Sequence, residues 1–169
     1  MDILEGIFTR RSIRRFTQGQ ISQEQLHLII KAGCQGPSAH NLQPWHFIVI
    51  NDRNTFESIM KFHAYAKMLS SADTCIIVCG DEKRQPTTGF LIEDCSAAIE
   101  NMLLAVHGIG LGAVWCGLYP VTQLTGRMKK LLSIPPRIIP VGMIVIGQIG
   151  EQRAAEDRFD ENKIHYGQW

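Results

Sequence analysis

The segment from Arg10 to Phe16 (RRSIRRF) concentrates the side chains that could bind an anion. Four arginines and one serine fall within the six positions 10–15. Arginine presents a planar fork of N–H donors that suits a phosphate group, and a serine hydroxyl can donate beside it. Charged runs are also commonly solvated, so an exposed basic turn at the end of a helix is the alternative. The segment therefore indicates either a local phosphate site or a surface turn.

A second polar segment, from Gly36 to Trp45 (GPSAHNLQPW), connects a predicted helix to a predicted strand. Its two prolines stiffen the loop, and its serine, asparagine and glutamine offer both donors and acceptors. A rigid polar loop of this kind suits a flat heterocycle with carbonyl groups and ring nitrogens. An ordinary helix-to-strand connection would use the same residues, so the segment alone leaves both interpretations open.

A third segment, GIGLG at 108–112, leads into AVWCG at 113–117. Its glycines follow a predicted helix instead of a strand, and the spacing of the last glycine is wrong for a dinucleotide-binding fingerprint. The glycines could simply end the helix. Small residues also let a main chain approach the face of a ligand closely, which is the functional alternative.

The usual catalytic templates are missing from the sequence. It contains no HExxH motif, no GxSxG elbow and no P-loop, and His40 and His46 support only a weak metal hypothesis. Cys116 has no neighbour in sequence that would activate its thiol, so a structural role is predicted. Three carboxylates are expected on an exposed helical face: Glu93, Asp94 and Glu100. Phosphate donors without an acid, base or nucleophile indicate that a cofactor supplies the reactivity.

The elements that must position these segments can be read from the apolar pattern. Helices are predicted for Met1–Thr9, from Ser22 to near Gly36, for Leu91–His107 and for Val121–Leu132. The second helix starts at a capping-box pattern formed by Ser22 and Gln25. Strands are predicted for His46–Ile50, Thr74–Cys79, Ala113–Cys116 and Val141–Ile149, the first two buried on both faces. Helices and strands mix without a βαβ repeat, which favours the α+β class.

Composition places the chain among ordinary globular proteins. It has 169 residues, 17 basic and 16 acidic side chains and five cysteines, and no CxxC pair. This balance gives no sign of a nucleic-acid or membrane surface, and we expect one domain in a reducing cytoplasm. From Glu151 to Trp169 the sequence turns polar, so we expect an extended tail that is disordered or lies on another surface.

The order of these segments resembles the flavin-dependent nitroreductase family over nearly the whole chain. The resemblance is carried by RRSIRRF, GPSAHNLQPWHFIVI, DCSAAIENMLLAVHGIGLGAVWCG and IPPRIIPVGMIVIGQIGE, and the tail DRFDENKIHYGQW is similar to that of shorter members. It implies a mostly antiparallel central sheet flanked by helices and a bound flavin mononucleotide (FMN). It also implies an intertwined homodimer in which the tail reaches the partner.

The resemblance assigns roles at the phosphate end of the cofactor. Arg10 and Ser12 would hold the FMN phosphate and ribityl chain, with Arg11 beside them. Arg14 would lie near the pyrimidine end of the flavin, where negative charge accumulates on reduction. Arg158 would complete the phosphate site from the tail, although larger members often carry a lysine-rich version of that tail.

The same resemblance assigns two further sets of residues to the ring end of the flavin. Main-chain groups near flavin N5 would come from Trp115, Cys116 and Gly117. Contacts from the other subunit would come from Pro37, Ser38, Ala39 and Asn41. No metal is expected.

The implied activity is ping-pong hydride transfer from NADH or NADPH to a nitroaromatic, quinone or similar acceptor. No residue of the sequence distinguishes the two nicotinamide cofactors. A flavin reductase, a dehalogenase or a flavin-fragmenting enzyme is the alternative within the superfamily, with 81–90 as the one candidate for a lid. A non-catalytic flavin-binding protein and a structural dimer or interaction module are the alternatives outside it.

Overall fold

Five helices and five strands form the fold in the computed structural model, which describes residues 1–169. The helices are α1 (Ile3–Thr9), α2 (Gln23–Gly33), α3 (Arg53–Phe62), α4 (Thr88–Gly108) and α5 (Thr122–Leu132). The strands are β1 (Phe16–Thr17), β2 (Trp45–Ile50), β3 (Thr74–Asp81), β4 (Gly112–Gly117) and β5 (Ile138–Ile149). Single turns of 3₁₀-helix occur at Ala39–Asn41, Lys67–Ser70 and Glu161–Lys163.

All the strands pair antiparallel, which confirms the predicted α+β class with a mostly antiparallel sheet. β5 is the centre of the sheet and pairs with β3, β4 and β1, while β2 lies at the edge beside β3. Every residue of β3 is buried, as its unbroken apolar sequence predicts. The same prediction is wrong for β2, because an edge strand lacks a neighbour on one side and Val49 is exposed there.

The sheet lies between two helical layers, and β3 shows this through its alternation. Cys75, Ile77 and Cys79 belong to a core cluster with side chains of α3 and α5. Ile76 and Val78 face a second cluster, built with α2 and α4. This alternation is the period-two pattern of a strand that is covered on both faces.

The helix boundaries test the capping arguments. Ser22 caps α2 as predicted, with Gln25 completing the capping box, but the helix ends at Gly33, three residues earlier than Gly36. α3 was not predicted; it starts at the N-cap Asp52 and buries only Phe56 and Ile59. No helix has the length and apolar character that a membrane span requires.

Two segments leave apolar side chains facing out of the chain. α1 forms as predicted, yet Ile3, Leu4 and Phe8 are exposed. The tail beyond Gly150 has no regular structure except one 3₁₀ turn, and Tyr166 and Trp169 are exposed. Neither segment buries its apolar surface within its own chain.

Candidate functional site

The arginine segment lies directly beside β4. Ser12 forms a parallel bridge with Ala113, and the Ile13 N–H donates to the Ala113 carbonyl at 2.9 Å. A side chain at Gly112 would begin only 2.9 Å from the Ile13 side chain, so a glycine allows this close approach. The contact brings the arginine segment (10–16) and the glycine-rich segment (108–117) together.

A cavity of about 370 Å³ opens beside this contact and is rich in cations. We call it the arginine cavity; its lining consists of Arg11, Ser12, Arg14, Arg153, Ala154, Glu156 and Arg158. Four guanidiniums and one hydroxyl face it against a single carboxylate, a donor set suited to a phosphate group. Arg153 was missed in the sequence because only the folded tail brings it to the other arginines.

Two sets of hydrogen bonds fasten the start of the tail to the arginine segment. The Arg11 guanidinium donates to the carbonyls of Ala154 at 3.2 Å and Glu156 at 3.1 Å. The Glu151 carboxylate accepts the N–H of Arg14 at 2.6 Å and that of Arg15 at 3.2 Å. The Arg14 N–H is the main reason that the pKa of Glu151 is lowered, because it stabilises the charged form. Arg11 thus binds the tail main chain as well as lining the cavity.

Arg10 takes a position just outside the arginine cavity. Its Nε donates to the Glu100 carboxylate on α4 at 3.0 Å, so Glu100 is an ion-pair partner and not merely a solvating residue. Arg10 also lines an adjoining cavity together with Arg11 and Arg158. Its other guanidinium N–H groups have no hydrogen-bond partner in the chain, and its role toward a phosphate stays a prediction.

A second, larger cavity of about 620 Å³ runs along β4, and we call it the ring cavity. Its lining is mostly apolar: Arg14, His63, Ala64, Tyr65, Lys67, Met68, Val114, Trp115, Cys116, Gly117, Val121 and Leu124. It therefore contains all three β4 residues assigned from the sequence. His63 and Lys67 were missed, because no motif links their segment to β4.

Arg14 lines both the arginine cavity and the ring cavity. A ligand that spans both would have an anionic group at one end and a flat, largely apolar body at the other. Arg14 would then lie between these two ends, close to any polar edge of the flat body.

Cys116 is placed as a structural residue. Its side chain is buried, and its Sγ lies 3.6 Å from the Tyr65 carbonyl oxygen, to which it donates. Burial raises the pKa of the thiol to about 11, although the charge of Arg14 opposes this rise. The thiol is therefore protonated at neutral pH and is a poor nucleophile.

The polar loop of the second segment has a strained backbone. His40, Asn41 and Gln43 have φ angles of 54°, 55° and 49°, in the left-handed region that non-glycine residues rarely adopt. The Gln43 N–H donates to the Ser38 hydroxyl at 3.0 Å, and the Gln43 side chain donates to Asn41 at 2.9 Å. Strain of this kind persists where surrounding contacts enforce it and is concentrated at functional sites.

A buried carboxylate on α4 holds this loop. The prediction that Asp94 is an exposed solvating residue is wrong: it is 5% exposed and accepts the Ala39 N–H at 2.8 Å through Oδ1. Its Oδ2 is buried and has no hydrogen-bond partner. Gly36 lets the loop approach the same helix, because a Cβ there would lie 3.1 Å from the Ala98 nitrogen.

The structure does not bring the loop to the two cavities. No residue from Pro37 to Asn41 lines the arginine cavity or the ring cavity. The loop lies on α4, whereas the ring cavity is built from β4 and the segment that follows α3. Within one chain, the sequence-predicted site is therefore divided into two parts.

The remaining sequence hypotheses concern the start of 81–90 and the histidines. Asp81 accepts the Lys83 N–H at 2.9 Å and pairs with Arg137 at 3.3 Å, and these contacts fix the turn at the start of the candidate lid, 81–90. His46 lies 3.8 Å from Asp81, and no group of three or more metal-ligating side chains occurs in the structure.

The sequence matches the Nitroreductase family over residues 7–62 and 57–148. A relative from Methanothermobacter thermautotrophicus, provisionally named NADH dehydrogenase/NAD(P)H nitroreductase, is 42% identical over 100% of this chain and 88% of its own length. A solved structure of the same provisional name from Bacteroides thetaiotaomicron is 37% identical, with a TM-score of 0.94 over 99% of this chain and 98% of that one. A provisionally named nitroreductase from Desulfovibrio desulfuricans, solved in complex with FMN, is 29% identical, with a TM-score of 0.87 over 100% and 98% of the two chains.

Proposed function

We propose that this chain, which belongs to the nitroreductase family of oxidoreductases, binds FMN and uses NADH or NADPH to reduce a small organic acceptor. The observation that carries the proposal is the pair of cavities that meet at Arg14. One offers cations for a phosphate, and the other offers apolar walls for a planar ring. The FMN bound in the Desulfovibrio desulfuricans relative supports the choice of ligand.

The donor set of the arginine cavity fits the phosphate of FMN. A phosphate monoester carries about −1.5 to −2 charges at neutral pH, and four guanidiniums offset by one carboxylate exceed this charge. Ser12, Arg14, Arg153 and Arg158 would bind the phosphate and ribityl chain. Arg11 would act partly through the tail that it fastens, and Arg10 would donate from the adjoining cavity.

The ring cavity fits the flavin ring in size and polarity. The main chain of Trp115, Cys116 and Gly117 would lie along the ring near its N5 atom. Arg14 and Lys67 would provide positive charge at the polar edge, where they lower the free energy of the reduced, anionic flavin. Cys116 would contribute its main chain and not its protonated thiol.

When bound, FMN would supply the redox chemistry, taking a hydride from NAD(P)H and, after the nicotinamide leaves, giving it to a nitroaromatic, quinone or similar acceptor in ping-pong order. The protein itself would position the reactants and provide the electrostatic field at the flavin ring. Tyr65 and Trp115, both exposed at the ring cavity, would form walls against which the nicotinamide and then the acceptor could stack.

The site would be completed in a homodimer. Pro37, Ser38, Ala39 and Asn41 line neither cavity of their own chain, so we propose that they contact the flavin of the partner subunit. The exposed apolar face of α1 and the exposed aromatic side chains of the tail would be covered in the same interface, with 151–169 reaching the partner. A two-fold dimer then has two equivalent shared sites, and each site combines the two cavities of one chain with the loop of the other.

The test is an anaerobic titration of the purified protein with FMN, followed by NADH or NADPH and then an acceptor. We expect tight FMN binding, bleaching of the flavin absorbance by at least one nicotinamide, and return of the colour when menadione or nitrofurazone is added. No FMN binding would refute the proposal. FMN binding without reduction by either nicotinamide would indicate a non-catalytic flavin-binding protein instead.

A further inference from the structure

His63 is a buried histidine whose two ring nitrogens are both engaged. It follows the last turn of α3, is 3% exposed and lines the ring cavity. Its Nδ1 lies 3.3 Å from the Tyr65 N–H, and its Nε2 lies 3.1 Å from the Gly117 carbonyl oxygen. A buried imidazole with two such partners can adopt only one arrangement of protons.

The two partners determine that arrangement. A main-chain N–H can only donate, so Nδ1 must be the unprotonated acceptor toward Tyr65. A carbonyl oxygen can only accept, so Nε2 must carry the hydrogen that it donates to Gly117. His63 is therefore the neutral Nε2–H tautomer, and the opposite tautomer would place a donor against a donor and an acceptor against an acceptor.

The Gly117 carbonyl lies at the end of β4, beside the ring cavity. Gly117 is the last residue of β4, and its pairing with Gly142 is the final pair of the β4–β5 ladder. The neighbouring Cys116 thiol donates to the Tyr65 carbonyl at 3.6 Å. Two side-chain hydrogen bonds therefore join the segment after α3 to the end of β4. His63 donates to the Gly117 carbonyl, and Cys116 donates to the Tyr65 carbonyl.

We propose that His63 is a positioning residue that fixes the main chain at Trp115–Gly117 against the flavin ring. The inference rests on the proposed function, in which this main chain faces the flavin near N5. Main-chain dipoles stabilise developing charge only when their orientation is fixed before the reaction. The Gly117–Leu118 peptide is held from both sides, because the Nε2–H group of His63 donates to its carbonyl at 3.1 Å and its Leu118 N–H donates to the Val141 carbonyl at 3.2 Å. His63 thereby fixes the orientation of the main chain at the end of β4.

The first test compares His63→Leu and His63→Gln, with the exposed His27→Leu on α2 as the matched control. The measured quantity is the ratio of the Kd values for oxidised and dithionite-reduced FMN. Losing one hydrogen bond should change this ratio by about two- to tenfold in His63→Leu. His63→Gln should restore the wild-type ratio, because its amide N–H can donate to Gly117. FMN binding through the phosphate should persist in every variant.

Two results of this titration would overturn the inference: an unchanged ratio in His63→Leu, or the same change in both His63 variants. Failure of wild-type protein to bind FMN would refute the proposed function itself, and so can be told apart from failure of the His63 inference.

The second test needs no variant that might misfold. Long-range ¹H–¹⁵N spectra of wild-type protein with labelled histidine should show His63 as the Nε2–H tautomer, both without FMN and with it. The Nδ1–H tautomer in either state would overturn the assignment, since Gly117 would then have no donor from this ring.

Discussion

The phosphate assignment predicts a selective loss of FMN affinity in Arg158→Ala. Arg158 lines the arginine cavity, its side chain is 71% exposed, and it pairs with Glu156 at 3.1 Å. A hydrogen bond to a charged group contributes about 1.5–3 kcal/mol, and exposure favours the lower end of this range. Since 1.4 kcal/mol corresponds to about tenfold, we expect roughly tenfold weaker FMN binding.

Riboflavin makes the assay specific, because it has the same ring and ribityl chain without the phosphate. Flavin titrations should give nearly equal riboflavin Kd values for wild type and Arg158→Ala, while the FMN values differ. Arg127→Ala serves as the matched control, since Arg127 is exposed on α5 and lines neither cavity. Glu156→Gln should strengthen FMN binding, because it removes the one carboxylate that lines the arginine cavity.

Equal losses of FMN and riboflavin in Arg158→Ala would show that the tail supports the site as a whole and does not bind the phosphate. An unchanged FMN affinity would place the phosphate away from this arginine. Weaker FMN binding in Glu156→Gln would contradict the electrostatic argument itself.

Cys116, Asp94 and Glu151 are buried or anchoring side chains whose substitution tests other parts of the site. Cys116→Ala should retain most NAD(P)H-dependent activity, because the thiol is protonated and, in the proposed site, Cys116 contacts the ring only through its main chain; inactivity with flavin still bound would indicate thiol chemistry. Asp94→Ala should weaken FMN binding about tenfold by leaving the Ala39 N–H without its acceptor, whereas Asp94→Asn should retain binding, and equal Kd values for both would exclude this role. The folded-state pKa of Glu151 lies below its ordinary value of 4.5, so its stabilising contribution is present above that value and is lost as the pH falls through the folded pKa. Denaturant titrations across this acid range should therefore show a smaller loss of unfolding free energy in Glu151→Gln than in wild type.

The elements predicted correctly are those whose signals are local in sequence. β3 could be predicted because a central strand buries every side chain, and α2 because Ser22 and Gln25 satisfy the N–H groups of its first turn. α3 was missed although its signal is also local, because Phe56, Ile59 and Met60 have helical spacing and Asp52 caps the first turn.

The burial of Asp94 could have been predicted from its helical spacing, but its charged residue type suggested exposure instead. It lies three residues after Leu91 and four before Ala98, which are both on the buried face of α4. Helical spacing therefore places Asp94 on that face. Its residue type suggested solvent exposure, but inside the protein the Ala39 N–H donates a hydrogen bond to its carboxyl group.

Other parts of the site depend on contacts that no local pattern encodes. Lys67 reaches the ring cavity through the turn after α3, and Arg153 reaches the arginine cavity through the tail. The left-handed backbone at His40 and Gln43 could not be predicted, because neither position is a glycine. The exposed apolar face of α1 has a clear helical period, but no other part of the chain covers it, so periodicity predicted the helix and not its exposure.

The proposed division of each site between two subunits leads to the last prediction, which concerns mixed dimers. Arg14→Glu should disrupt the cavities of its own chain, whereas Ala39→Trp should block the flavin site of the partner. Each mutant homodimer is then impaired at both sites. In a mixed dimer, both substitutions fall in one site, and the other site is built from unaltered parts only.

Random pairing of equal amounts of the two mutants gives about half mixed dimers, each with one intact site, so roughly a quarter of all sites should recover. The mutants should be co-refolded and the mixed dimers isolated with two affinity tags, after which bound FMN and NAD(P)H oxidation are measured. Refolding each mutant alone provides the control for partial activity. Isolated mixed dimers that bind no FMN would show that the Pro37–Asn41 loop does not act across the interface.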